Sequence, residues 1–480
     1  MTPELAPVTC YGGIGEGLGA LARALARRGD HVTVALPRWR DSGAAFAGSS
    51  RALRLRPGED VSVLEGELAP RLRVAIVDAP SLAGRPHVYG DDVEDLTNAS
   101  RFALFARAVI ELVRERALTD RPFAILHAHE WPCAVIPYLL RESRARSPEL
   151  ATTRSMLTLH NLAFQGVFPG AVLAALGLGD EHASPERLGT RVPTGQTYVS
   201  FLQGGILAAD ALTTVSPTYA GEILRSPFGQ GLEAALATRK ASLTGLLNGI
   251  DQDAWDPQAC PSLPAHFSRN DLGGKAACQE ALLAELGIEG ARDRPLVVSV
   301  GRVVRQKGSD LLAASMQTLV DDVGVTVVVA GAGEADLEAR LREAASSRPE
   351  HARYLGRVPD PLVHRLIAAA DLVAMPSRFE PCGIVQMYAH RYGAVPVARR
   401  TGGLADTIAA VSPSLHEGTG FLFDPPTEAA LVGALRDAVS AMAKPAWRGL
   451  QARIMEIDHG WLRRSSAYAA LYKRVAAEAR

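Results

Sequence analysis

Arg302 and Lys307 stand five residues apart just after an apolar run that ends at Val300. Together they offer a guanidinium fork and an ammonium point charge, cations that grip a diphosphate more tightly as charge develops on it during departure. Glu380 lies in a loop bounded by Pro376 and Pro381, just ahead of a stretch whose spacing turns helical from Gly383. Its carboxylate suits the holding of sugar hydroxyls, and the N–H groups of a helix start suit an anion. Arg399-Arg400-Thr401-Gly402-Gly403 follows a second apolar run, where glycines let main chain approach a ligand without Cβ clashes. His160 closes a third run. Each has a plain structural alternative when taken singly: a solvated basic turn for Arg302 and Lys307, a hydrogen-bonded framework residue for His160, a small buried filler for Cys382.

Strands are needed to deliver these residues to one place. Asp371 to Met375 and Ala394 to Ala398 read as buried strands, and the ends of such strands in a doubly wound sheet are where ligands bind. Pro295 to Val300, Val325 to Ala330 and Ala352 to Leu355 add further strands, with another apolar stretch at Gly418 to Phe423. Earlier in the chain, Gly12-Gly13-Ile14-Gly15 opens a helix running to about Arg28, followed by a strand from His31 to Leu36. A helix over Asn98 to Arg114, apolar Phe123 to Leu126 and a strand over Ser155 to Leu159 continue the pattern. A helix from Phe201 to Ala211 and a strand to Val215 complete it. Alternation of this kind predicts parallel βαβ units. Turn residues cluster from Asp256 to Pro264, which places domains at 1–255 and 256–458, with a helical tail in 459–480.

A Gly-rich turn opening a helix ordinarily follows a strand, and here none precedes Gly12. The first strand of the N-terminal domain is therefore expected to be absent, through a start assigned too late or through loss of a central strand.

A chain of 480 residues exceeds one ordinary core, so two or three domains are expected. A net charge of −1 gives no general attraction for nucleic acid or for acidic membranes, so anionic ligands must be met by local cations. The five cysteines form no CxxC pair, which speaks against a disulfide framework or a zinc site and fits a reducing cytoplasm. No signal peptide and no apolar run long enough to span a bilayer is visible.

Several strings carry a resemblance. Ser377-Arg378-Phe379-Glu380-Pro381-Cys382-Gly383, continued through Thr401-Gly402-Gly403-Leu404-Ala405-Asp406, resembles bacterial glycogen synthases and plant starch synthases. So do Arg302, Gln306, Lys307, Gly308, Asp310 and Leu311, and the string Thr158 to Gly166. The resemblance implies a retaining glucosyltransferase of two Rossmann-like α/β domains with an interdomain cleft (GT-B), its last helix returning to the first domain. It implies transfer from ADP-glucose to the non-reducing end of an α-1,4-glucan by same-face attack, with no metal or other cofactor. His160, Arg302, Lys307 and Glu380 are then the catalytic candidates. Substrate binding falls to Gly12, Gly13, Glu16, Glu130, Asn161, Gln165 and Asn248 in the first domain, and to Cys382, Gly383, Thr401, Gly402 and Gly403 in the second.

Departures from the family lie in the first domain. Its motif K-T/V-G-G-L-G/A-D becomes Cys10-Tyr11-Gly12-Gly13-Ile14-Gly15-Glu16, which removes a lysine. Glu130 replaces an aspartate and Gln203 a common lysine. Two rivals follow from these losses: a catalytically weak regulatory paralogue that binds glucan or nucleotide sugar, and a related transferase with a changed donor or acceptor.

Overall fold

Val-rich runs become central strands here because β-branched side chains covered on both sheet faces favour extended chain. Thr326–Ala330, buried at every position, is the clearest case. The computed structural model describes all residues except 11, 40–41, 43–47, 57, 83–87, 90–95, 120, 191–195, 289–292 and 479–480. Tyr11 of the Gly-rich motif thus lies outside the described residues. The chain divides into one unit of Met1–Gly249 with Trp461–Arg480 and a second of Ile250–Gly460.

The first unit contains β1 (Val32–Pro37), β2 (Gly48–Ala52), β3 (Ser62–Ala69), β4 (Leu72–Asp78), β5 (Ile125–His129) and β6 (Arg154–Leu159). Short strands β7 (Val167–Pro169), β8 (Gly189–Thr190) and β9 (Tyr198–Ser200) precede β10 (Ala211–Thr214) and β11 (Leu243–Gly245). Among the described residues they form sheets ordered β1-β4-β3-β2, β11-β10-β6-β5 and β7-β9-β8. Helices α1 (Gly13–Arg27), α2 (Leu96–Ala117) and α3 (Trp131–Arg144) pack on them. Trp461 and Tyr468 of the C-terminal helix, Trp461–Ala477, share a core with Leu18, Leu21 and Leu25 of α1 and with Val34 and Leu36 of β1.

Parallel pairing does not hold throughout. β3 lies antiparallel to both β2 and β4. The chain turns from Ala69 to Leu72 with Arg71 at φ 64°, and so tight a hairpin can join only antiparallel neighbours. Sequence periodicity missed these strands because β2 is exposed along its whole length and β3 carries Glu65 and Glu67.

The second unit holds β12 (Leu296–Val300), β13 (Thr326–Ala330), β14 (Ala352–Tyr354), β15 (Leu372–Met375), β16 (Val395–Arg399) and β17 (Phe421–Phe423). They make one parallel sheet ordered β14-β13-β12-β15-β16-β17. This unit begins at Ile250, slightly ahead of the expected border. Ile250 pairs with Gly460, and Trp255 stacks on Tyr388 with ring centroids 3.5 Å apart, which draws the intervening residues into the second core. Among the described residues no helix is long and apolar enough to cross a membrane.

Candidate active site

In the second unit β12 and β15 are adjacent and parallel, so the loops leaving their C-terminal ends meet. One loop carries Arg302 to Lys307, the other Ser377 to Glu380. Gly308 governs their approach. It has φ 72°, and a Cβ there would lie 2.2 Å from Pro376 O, so glycine alone lets the backbones touch. Lys307 Nζ consequently reaches Glu380 Oε2 at 2.5 Å. Ser377 Oγ donates to the same oxygen at 3.0 Å. The Glu380 side chain is only 5% exposed, so burial leaves the ion pair little water to compete with.

Two further contacts hold these loops. Arg378 donates a fork to Asp310 at 2.6 and 2.8 Å. Burial raises the affinity of Asp310 for a proton, but the Arg378 bonds outweigh it and hold the carboxyl below its ordinary range. Gln306 Nε2 donates to Phe379 O at 3.3 Å, and Arg302, exposed, reaches Gln306 Oε1 at 3.4 Å.

The Gly-rich turn after β16 joins the same place. Gly402 has φ 44°, and Thr401 is buried. Gly403 departs from expectation, because its N–H donates to Glu380 O at 3.0 Å and is not offered to a ligand. A Cβ on Gly403 would sit 2.0 Å from Cys382 O, so its absence of a side chain serves close packing. Cys382 is buried, Gly383 adopts φ 68°, and the Gln386 amide donates to the carbonyls of both.

In the first unit β5 and β6 are parallel neighbours whose ends carry Glu130 and His160. Glu130 Oε1 accepts from His160 N–H at 2.7 Å and from Asn161 N–H at 3.0 Å. Burial pushes its carboxyl up to about 7 against the pull of those N–H groups. His160 Nε2 lies 3.2 Å from His129 Nδ1, and burial lowers the His160 imidazole to about 4, which keeps it neutral near pH 7. Gln165 donates instead to main chain, at Leu162 O and Gln230 O. Gln203 likewise ties to Gly189 O and Pro185 O. Asn248 Oδ1 is buried with no hydrogen-bond partner among the described residues.

At the start of α1, Gly12, Gly13 and Glu16 are exposed. Gly12 N–H donates to Glu4 Oε2 at 3.0 Å, and Tyr89 OH donates to Glu4 Oε1 at 2.9 Å. The exposed Cys10 thiol is pushed up to about 11, by partial burial first and then by Glu16 and Glu4. Burial and the two carboxylates together outweigh the N–H groups of the helix start, so the thiol keeps its proton. Sequence reasoning passed over Glu4, Ser377 and His129 as site residues. Their partners lie on separate loops or strands, except for Ser377 three residues before Glu380, the one spacing that hinted at a contact.

A family model described as starch synthase catalytic domain matches residues 1–238, and one described as glycosyl transferases group 1 matches 287–448. A glycogen synthase of Anaeromyxobacter dehalogenans is 44% identical, with 98% of each chain covered. The chain belongs to the glycogen and starch synthase family. Another such relative, a glycogen synthase of Opitutus terrae, is 35% identical over 98% of each chain. The catalytic domain of starch synthase IV from Arabidopsis thaliana, solved with ADP and acarbose, superposes with a TM-score of 0.87 at 30% identity. That comparison covers 99% of this chain and 98% of the plant domain. The protein is thus a glycosyltransferase of the two-domain GT-B fold, as synthases of this family are.

Proposed function

We propose that this synthase transfers glucose from ADP-glucose to the non-reducing end of an α-1,4-glucan with retention at the anomeric carbon. The observation that carries the reading is the Lys307–Glu380 pair, its carboxylate buried and its ammonium partly exposed, seated with Arg302 at the ends of β12 and β15. Arg302 and Lys307 take the diphosphate, whose negative charge grows as its bond to the glucose anomeric carbon breaks. Glu380, held by Lys307 and Ser377, accepts hydrogen bonds from donor hydroxyls. Thr401 and Gly402 approach the distal phosphate, with Cys382 and Gly383 shaping the wall beside them. The acceptor hydroxyl attacks the same face, and its proton passes to the departing phosphate. Neutral His160 can hydrogen-bond the donor sugar without adding charge, and Asn161, Gln165, Asn248, Glu130, Gly12, Gly13 and Glu16 serve substrate binding in the first unit. ADP as the nucleotide follows the plant relative, whose solved structure holds ADP. The two cations supply the charge, so the reading uses no metal or cofactor.

Incorporation of labelled glucose into maltooligosaccharide tests this directly. ADP-glucose should be the better donor. Equal transfer from UDP-glucose sinks the donor assignment, and no transfer from either returns the regulatory reading. In the same assay Cys10→Lys should raise kcat/KM by about 1–3 kcal/mol of transition-state binding, the worth of a charged hydrogen bond. Glu4 and Glu16 lie beside it and will keep a lysine there charged. A variant no faster than the parent would mean that those carboxylates hold the ammonium away from phosphate.

Glu130 sets a pH dependence of stability. In the folded chain it keeps its proton to about pH 7, whereas an unfolded glutamate loses it near 4.5. The folded state therefore binds the extra proton between those values, and stability falls as pH rises through the window, by on the order of 3 kcal/mol. Glu130→Gln keeps an oxygen for the two N–H groups and removes the titration. Its urea midpoint should gain on the parent's between pH 5 and pH 7.5. A constant gap would show that Glu130 titrates normally.

A further inference from the structure

Gln386 is fully buried in the helix Val385–Arg391, just beyond the turn that carries Glu380. Its amide nitrogen donates to Cys382 O at 3.1 Å, to Gly383 O at 3.0 Å and to Thr407 Oγ1 at 3.0 Å. An amide has two hydrogens for these three acceptors, so one hydrogen is shared between the successive carbonyls. Thr407 donates its own hydroxyl hydrogen to Gly403 O at 2.6 Å, which leaves its oxygen only to accept from Gln386. Gly403 N–H in turn reaches Glu380 O at 3.0 Å. Gln386, Thr407, Gly403 and Glu380 thus form a hydrogen-bonded circuit, closed by the main chain from Glu380 to Cys382.

Two observations separate this circuit from ordinary core filling. The two turns it joins meet without an intervening side chain, since a Cβ on Gly403 would lie 2.0 Å from Cys382 O. Hydrogen bonds, not packed side chains, therefore set their spacing. Gln386 Oε1, moreover, is buried with no hydrogen-bond partner among the described residues. A buried oxygen left unbonded works against folding. A Cβ on Gly383 would lie 2.5 Å from that oxygen, so the bare Cα there makes room for the amide. An apolar side chain of the same length would leave no orphan oxygen, but would deprive both carbonyls of their donor. The amide is kept for where its nitrogen points.

We infer that Gln386 and Thr407 are positioning residues for glucose transfer, which lock the turn carrying Glu380 to the turn carrying Thr401 and Gly402. The inference rests on the reading given above, in which Glu380 holds donor hydroxyls and Thr401 and Gly402 approach the distal phosphate. The bond that breaks lies between the sugar and the diphosphate. The circuit therefore spans that bond and fixes the distance between its two holders. Each holder binds its own part of the donor whether or not the two turns stay in register. Loss of register thus weakens the transition state more than it weakens binding of the intact donor.

The test is steady-state kinetics with ADP-glucose and maltooligosaccharide for Gln386→Met, Thr407→Val, the double variant and Thr407→Ser. Gln386→Met and Thr407→Val should each lower kcat about 10–100-fold and change the KM for ADP-glucose by less than about twofold. The double variant should be no slower than the slower single one, because both changes cut one circuit. Thr407→Ser keeps the hydroxyl and should stay within about threefold of the parent. Thr407→Val is close to isosteric and carries the test if Gln386→Met does not fold. Amide exchange at Gly403, which needs no turnover, should quicken about tenfold or more in each single variant. Unchanged kcat, losses that multiply, serine as slow as valine, or unchanged exchange at Gly403 would each overturn the inference. A parent that transfers no glucose would fell the donor reading and the positioning role with it. A parent that transfers glucose, with variants that match it, would fell the inference alone.

Discussion

Lys307→Ala is expected to slow glucose transfer by about 10²–10³, and Arg302→Ala by a similar factor, the usual cost of removing one group aimed at developing charge. The two should differ in stability. Arg302 is exposed and its loss leaves the fold unchanged, whereas Lys307→Ala leaves Glu380, whose side chain is 5% exposed, without its ammonium and with the Ser377 hydroxyl still bonded to it. Breaking a buried pair costs about 3–5 kcal/mol when one charge stays unpaired; the partial exposure of Lys307, at 28%, puts this one at the lower end or below. A double variant, Lys307→Ala with Glu380→Gln, should recover part of that stability and none of the rate. Steady-state kinetics with ADP-glucose and urea melts check both halves. Near-parental rates in both single variants would dismantle the phosphate clamp.

Gly308→Ala should destabilise the second unit by about 2–4 kcal/mol. A left-handed φ costs a side-chain-bearing residue about 1–3 kcal/mol, and overpacking costs a comparable amount. Here both apply, since φ is 72° and the new Cβ meets the backbone at Pro376 O, which cannot swing aside as a side chain would. Activity should fall further than stability explains, because relief of the clash moves Lys307 away from Glu380. Urea midpoints and kcat report the two effects separately. A shift below about 0.5 kcal/mol, typical of an indifferent surface change, would rule out the tight approach of the two loops.

The amino-acid sequence alone determined the sheet of the second unit and the family. Strands buried on both faces appear as unbroken apolar runs, so β12, β13, β15 and β16 were legible to within a residue or so at each end. The loops after them carry strings too long and particular to mistake. Local pattern was silent on β2 and β3, because exposed and charged strands lack a periodicity that core burial would impose. Tertiary structure decided who touches whom. Lys307 and Glu380 are 73 residues apart, and only the adjacency of β12 and β15 brings them to one ion pair. Glu130 became a bridge to His160 and Asn161 through the pairing of β5 with β6. Gly403 N–H went to Glu380 O rather than to a ligand, and the Cys10 proton was held by partial burial first, with Glu16 and Glu4 beside it. Strand order, which is set by the packing of whole units, decides these contacts, whereas residue type decides only what each side chain can do once it arrives.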